Sequence, residues 1–247
     1  KADTPRVSWS ASTSPNVRKA GRAEGHKLII QTQIHGVAYG LAETTDIEEM
    51  AELLANVFSR SDPPAVAASL SFHDVYEIVI QYGRRAPGDA LTLLARIQPS
   101  GKLVGAMLTD DFASPPPVNE EKLAQNFRPI AALLEGLDEQ YRKSHPVVPG
   151  QILHLFMLAV ASDFGGKGIA RTLVHLTLEN GKHRGFARAI TEATGNVSQH
   201  IFRKNGFIER CRIAYQEFMY EGKRPFESIV EHEAVILLER DLNVGES

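Results

Sequence analysis

Apolar residues recur along this chain with two periods, and the switches between them lay out its elements. Residues 35–43 (HGVAYGLAE) alternate apolar or small side chains with others, the period of a strand. Residues 44–59 change to a helical stripe of Ile47, Met50, Leu54 and Val57. Thr45 and Glu48 stand at capping-box spacing at its start, and SDPP ends it. Residues 65–85 read as a second helix, and 89–112 as a hairpin of two apolar runs around Pro-Ser-Gly-Lys. After the break at SPPP (114–117), residues 119–143 carry Leu123, Phe127, Ile130, Leu134, Leu137 and Tyr141 at steps of three and four. That is a helix, with Pro129 marking a kink or a restart. Residues 150–162 are apolar almost throughout, as in a central strand. A helix over 166–185, a strand over 186–194, a short helix over 196–205 and strands over 206–220 and 233–242 complete the pattern.

The order β-α-α-β-β-α-β-α-β-α-β-β interleaves the two kinds of element, which argues one α/β domain around a mixed sheet, spanning 28–247. Residues 1–27 show no apolar periodicity. They carry six basic residues against Asp3 and Glu24, and are rich in Ser and Thr. They read as a flexible basic tail, or as the remnant of a segment targeting an organelle such as a plastid.

Composition narrows the picture. The charge is −3, from 27 basic and 30 acidic residues, so neither nucleic acid nor a membrane surface is expected as partner. The longest apolar run, LFMLAVA (155–161), is far below the ~20 residues of a membrane helix. Cys211 is the only cysteine, which excludes an internal disulfide and a cysteine-built zinc site and suits a reducing, cytoplasmic setting.

The most informative stretch is SDFGGKGIARTLVHLTLENG (162–181), where a strand gives way to Gly-Gly-Lys-Gly and then a helix. First-turn N–H groups carry partial positive charge, glycines let the backbone close on an anion, and Lys167 adds charge. Gly168 follows that lysine, so this is no Walker loop, and GGKGIA lacks the register of a dinucleotide fingerprint. Spacing alone leaves phosphate binding and a structural turn open.

These residues resemble motif A of the GNAT superfamily of acyl-CoA N-acyltransferases, Arg/Gln-x-x-Gly-x-Gly/Ala. Gly165, Gly166, Lys167, Gly168, Ile169 and Ala170 match it except that Gly165 replaces the usual Arg or Gln. NVSQHIFRKNGF (196–207) resembles motif B, and the element order is similar to that fold from residue 36 to about 242. FSRSDPP, EATGNVSQHIFRKNGF and the late YQEFMYEGKRPF are similar to insect-type arylalkylamine N-acyltransferases. The resemblance implies a mostly antiparallel central sheet flanked by helices, with a helical insertion before the fourth strand. It implies an acetyl-CoA-dependent N-acetyltransferase acting directly on a small primary amine such as an arylalkylamine, as monomer or homodimer and without a metal. Leu158, Ala159 and Val160 would pair with the pantetheine arm, residues 165–170 would hold the pyrophosphate, and Asn196, Ser198 and Phe202 would complete the cofactor site.

An alkylamine, with a pKa near ~10, needs a proton acceptor at neutral pH. His154 is the first candidate: it lies four residues before Leu158, so period two places both on one face, and a neutral imidazole accepts a proton. Phe156 replaces the second histidine that vertebrate arylalkylamine enzymes carry there. Asp62 stands where the insect-type enzymes carry a catalytic Glu, but Asp before Pro63 is also an ordinary turn residue. Ser198 lies one turn before Phe202, which replaces the family's usual Tyr donor; its hydroxyl either serves the leaving sulfur or caps a helix. Phe72, Tyr76, Phe127 and Tyr141 are either core or an aromatic pocket. Two alternatives stay open: another acceptor (a protein amine, a polyamine, an amino-sugar), or a module that binds acyl-CoA without turnover.

Overall fold

The computed structural model describes residues 32–243, so the basic tail lies outside the described residues. One eight-stranded sheet runs through the molecule in the order β1-β2-β3-β4-β5-β6-β8-β7. Its strands are β1 (Thr32–Ile34), β2 (Val37–Leu41), β3 (Leu93–Ile97), β4 (Leu103–Asp111), β5 (Ile152–Val160), β6 (Arg188–Ala193), β7 (Ile208–Ala214) and β8 (Ala234–Asp241). Every pairing is antiparallel except β5 with β6. The helices are α1 (Ile47–Ser61), α2 (Pro63–Ala67), α3 (Phe72–Gly83), α4 (Ala86–Asp89), α5 (Arg128–Ser144), α6 (Ile169–His183) and α7 (Asn196–Lys204).

Two apolar layers sandwich the sheet. On one face α1, α3 and α5 bury Met50, Leu54, Ile78, Val79, Leu133 and Leu137 against Leu108, Ile152 and Met157. On the other, α6 and α7 bury Ile169, Leu173, Leu178 and Phe202 against Met107, Leu153 and Leu155. The start of α6 lies close over β4, because a Cβ on Gly105 would meet Ile169 Cγ2 and Leu173 Cδ1 at 3.0 Å each.

Several local expectations need correction. The capping box is formed by Glu43, whose N–H donates to Asp46 Oδ2 at 2.7 Å; it opens a 3-10 turn over Thr44–Asp46 that leads into α1, two residues earlier than Thr45 and Glu48. Residues 65–85 form two helices, because Ser71 starts α3 through its own capping box with Asp74 (2.8 and 3.2 Å). The long helix restarts as well: α5 begins at Arg128, with Pro129 in the first turn, where its missing N–H costs nothing. The strand after residue 206 ends at Ala214, and β1 was not expected.

The largest correction lies in β5. Its register against β4 jumps from Leu108↔Met157 to Thr109↔Leu155, leaving Phe156 as an inserted residue. This bulge resets the alternation. Leu153, Leu155, Leu158 and Val160 pack on the α6 side, while Ile152, Met157 and Ala159 pack on the α1 side. His154 belongs to the α1 side, where its ring meets Phe112 and Phe156 at 5.7 and 5.4 Å. His154 and Leu158 therefore lie on opposite faces, not one.

Candidate active site

The parallel pairing of β5 with β6 covers only Ile152–His154 against Arg188–Ile190. One further link follows, as Thr191 Oγ1 donates to the Leu155 carbonyl at 2.8 Å. Past it the strands part, although β5 stays paired to β4 as far as Gly105↔Val160. One edge of β5, including Leu158, Ala159 and Val160, thus carries backbone groups that β6 does not use. A paired strand would be shut; a strand opened on one side can take an extended polar chain.

The glycine loop sits beyond the end of β5. Gly166 and Gly168 hold φ of +71° and +79°, the left-handed region that side chains disfavour. Gly168 is the N-cap of α6, so the first-turn N–H groups of Ile169 and Ala170 have no carbonyl within the helix to bond, and exposed Lys167 stands beside them. Lys167 Nζ donates to the Asp163 carbonyl at 3.1 Å and lies 4.5 Å from the Phe164 ring centre; Lys102 approaches the same ring. Gly165 is exposed with φ −59°, so no left-handed geometry holds glycine there. Glycines at a helix N-terminus beside a lysine are the chemistry that suits an anion.

On the α1 side, a cavity of about 110 Å³ opens against the parted strands. Phe58, Leu70, Val75, Ile78, Phe127 and Ile130 supply much of its wall, β5 adds Phe156 to Leu158, and α7 adds Ser198 and Phe202. Among the expected aromatic set only Phe127 lines it. Phe72 is exposed, and Tyr141 is buried elsewhere with its hydroxyl donating to Glu239.

Asp62 lines this cavity. It closes α1 and caps α2, with Oδ2 accepting from Ala65 N–H at 3.0 Å and Oδ1 from the Thr194 hydroxyl at 2.5 Å. Burial raises its carboxyl above the usual range, against the lowering effect of those bonds and of nearby His232. Turn residue and reactive carboxyl are therefore compatible descriptions of it. Ser198 donates to the Gly195 carbonyl at 2.9 Å and accepts from Gly195 N–H at 3.3 Å, a first-turn cap, while also lining the cavity. Asn196 ties the chain to the Glu231 carbonyl and to His232 Nδ1 and is exposed. Phe202 is buried edge-on to Phe207 and has no proton to give.

His154 is not a neutral base here. Its Nδ1 faces Asp110 Oδ1 at 3.0 Å and its Nε2 faces Glu192 Oε2 at 2.8 Å, with all three side chains nearly buried. Two carboxylates need two N–H donors, which is the imidazolium. Burial alone would push this ring down, but Glu192 and Asp110 outweigh it and hold it well above its ordinary value. An imidazolium has no free lone pair on nitrogen to accept an amine's proton.

Glu192, Asp110 and Asp138 form a buried acidic cluster around His154 that the residue pattern did not single out. Glu192 lines the cavity. Its Oε1 and Asp138 Oδ1 are both buried with no nitrogen or hydroxyl donor, which leaves the two carboxyls to satisfy each other. Burial and Glu192 hold the Asp138 carboxyl well above the usual range, and a side-chain hydrogen bond joins it to Glu192. Burial would raise Glu192, but the His154 cation outweighs it and keeps Glu192 below its ordinary value. A hint was present in the sequence: Asp110 and Glu192 sit inside apolar strands, and Asp138 follows Leu134 by four on the stripe of α5.

The sheet therefore opens between two parallel strands, with a glycine-rich helix N-terminus at the mouth and an apolar cavity behind. The sequence profile of the acetyltransferase (GNAT) family matches residues 52–207, and the chain belongs to that family. It is an acyl-CoA-dependent N-acetyltransferase. Solved structures share the fold. The C-terminal condensation domain of Ebony, in complex with beta-alanyl-dopamine, is 16% identical with a TM-score of 0.77 over 83% of this chain and 98% of that one. Arylalkylamine N-acetyltransferase 2 from Aedes aegypti is 23% identical with a TM-score of 0.69, covering 85% and 100%. A polyamine N-acetyltransferase from Drosophila melanogaster, described as forming N-acetylagmatine, is 15% identical with a TM-score of 0.65, covering 83% and 99%. Among the described residues no helix is long and apolar enough to cross a membrane.

Proposed function

We propose that the chain transfers the acetyl group of acetyl-CoA directly to the primary amine of a small, largely apolar molecule, of which an arylalkylamine is the leading example. The observation that carries this reading is the cavity. At about 110 Å³ and with mainly apolar walls, it approaches the ~150 Å³ void that accepts a benzene ring. The names of the structural neighbours, which mention arylalkylamines, a dopamine conjugate and N-acetylagmatine, support a small amine without choosing among these.

In this reading the open edge of β5 at Leu158, Ala159 and Val160 holds the pantetheine arm, and a backbone N–H at Leu158 polarises the thioester carbonyl. Gly165 to Ala170 hold the pyrophosphate, with Asn196 shaping the α7 end of the site through its ties to Glu231 and His232. Asp62 takes the proton of the amine, its affinity for a proton raised by burial. The amine nitrogen bonds to the carbonyl carbon, the carbon–sulfur bond breaks, and the Ser198 hydroxyl stabilises the leaving sulfur, since Phe202 has no proton to offer. No acyl-enzyme forms.

The test is CoA thiol release from acetyl-CoA with phenethylamine, tyramine, tryptamine, agmatine, an amino-sugar and a lysine peptide. Release with the small amines and not the peptide supports the reading. Release with the peptide alone moves the acceptor to a protein amine, and acetyl-CoA binding with no release leaves a module that binds without turnover.

A further inference from the structure

We propose that Phe156 selects for an aromatic acceptor: its ring is the platform on which the acceptor's own ring stacks, so the site favours a planar aryl amine over a saturated amine of the same length. This rests on the reading of the cavity as the acceptor's site.

Phe156 owes its position to the bulge in β5. It is the residue left over where the pairing with β4 jumps from Leu108↔Met157 to Thr109↔Leu155. The insertion sends Phe156 and its neighbour Met157 to the same face, the α1 side, where regular alternation would have parted them. Both line the cavity. The ring is held from behind. Tyr82 of α3 stacks on it with centroids 4.5 Å apart and planes at 25°, and His154 meets it at 5.4 Å and 53°. Tyr82 and His154 are buried and do not line the cavity, whereas Phe156 is only partly buried and does. One face of the Phe156 ring is thus taken by Tyr82, and what the ring shows to the cavity lies away from it. An aromatic ring entering there adds a third member to a stack whose first two are already in place. Such stacking is worth more than the area it buries, because the ring quadrupoles attract, and a saturated ring has no quadrupole to offer. A platform fixed by two neighbours also loses little freedom when the ligand arrives.

Three other phenylalanines line the cavity. Phe202 is buried and lies edge-on to Phe207. Phe58 comes from α1 and Phe127 from the turn ahead of α5, so neither stands on the strand that carries the thioester site. Phe156 does. It precedes Leu158 by two residues, about 6–7 Å along an extended strand. That is the reach of an aryl ring joined to its nitrogen by a short carbon chain. A ring stacked on Phe156 therefore leaves the amine near the carbonyl that the Leu158 N–H polarises.

The experiment compares 2-phenylethylamine with 2-cyclohexylethylamine, which share the amine and the linker and differ only in the ring. With acetyl-CoA saturating, kcat/KM for each is measured in wild type, Phe156→Leu and Phe127→Leu. The wild type should favour the aryl amine by about two- to tenfold, the size of one aromatic pair. Phe156→Leu should bring the ratio close to one, and Phe127→Leu should keep it. Because the ratio is read within each protein, partial loss of folded enzyme does not mimic the result, and the wild-type ratio needs no variant to fold. A wild-type ratio of one, a preference that survives in Phe156→Leu, or one lost equally in Phe127→Leu overturns the proposal and leaves the small-amine reading standing. A wild type that binds acetyl-CoA and acetylates neither amine overturns that reading, and the proposal with it.

Discussion

Replacing His154 with Gln should unsettle the protein in a way that depends on pH. The wild-type ring donates to Asp110 at 3.0 Å and to Glu192 at 2.8 Å, and all three side chains are at most a tenth exposed. Glutamine is close in size, but its single amide nitrogen reaches one carboxylate well and carries no charge. Two buried carboxylates then face each other uncompensated. Removing one partner of a buried ion pair costs about 3–5 kcal/mol, and a urea slope of about 3 kcal/mol/M turns that into a midpoint lowered by about 1 M or more. In the variant, Asp110 and Glu192 have folded pKa values raised above their unfolded values of about 3.9 and 4.3. The penalty therefore vanishes below about pH 3, where both are protonated folded or unfolded, is still small at pH 4.5, and grows as pH rises through the raised folded values. The wild type behaves differently. Its raised His154 contributes stability that is complete below the ordinary histidine pKa and is lost only as pH rises through the elevated folded value. Urea melts at pH 4.5 and pH 7.5 check this. A loss of equal size at both pH values, or below about 1 kcal/mol at pH 7.5, would refute the imidazolium. Turnover supplies a second test. If His154 were the base, alkaline solution would rescue the variant; with His154 as a buried cation, the loss persists at high pH.

Three further outcomes are expected. Asp62→Asn should lower turnover about 100-fold or more at pH 7, with the deficit narrowing towards the acceptor's own pKa and acetyl-CoA affinity unchanged; a deficit independent of pH would remove Asp62 from proton transfer. Ser198→Ala should reduce turnover and leave the acetyl-CoA dissociation constant alone, whereas a matching drop in melting temperature without a kinetic effect would reduce Ser198 to its Gly195 cap. Gly168→Ala places a side chain at φ +79°, which costs about 1–2 kcal/mol and should raise KM for acetyl-CoA more than KM for the amine; an equal rise in both would argue that the loop serves stability alone.

Much of the architecture is legible along the chain because it follows from periodicity and punctuation. The hairpin around Pro99 to Lys102, the stripe of α1 and the Gly-Gly-Lys-Gly turn each state their role in a few residues. The bulge at Phe156 is different. A one-residue insertion changes no composition and breaks no apolar run, so period two carries His154 and Leu158 to the same face when the sheet puts them on opposite faces. The Asp110–His154–Glu192–Asp138 cluster was hidden for a related reason. Its members come from three strands and one helix, with up to 82 positions between them (110 to 192). Only the sheet order, which sets β5 between β4 and β6, brings them together. His154 was singled out for its titration range, and its state is decided by two neighbours that no local pattern could supply. The aromatic set failed on geometry too: helical spacing groups Phe127 with Tyr141, yet one lines the cavity and the other sits under Glu239.

The central claim is that the apolar cavity behind the parted strands holds the acceptor. Leu134 lines it from α5 and is only partly buried, so a larger side chain there projects into the cavity without rebuilding the core. The direct measurement is the steady-state kinetics of Leu134→Trp with a small amine that the wild type acetylates, alongside its acetyl-CoA dissociation constant. The account predicts that kcat/KM for the amine falls by more than tenfold while acetyl-CoA affinity stays within a factor of about two, since losing the fit of a buried apolar group costs about 1.5–3 kcal/mol. An unchanged kcat/KM for the amine in a folded Leu134→Trp protein would contradict it.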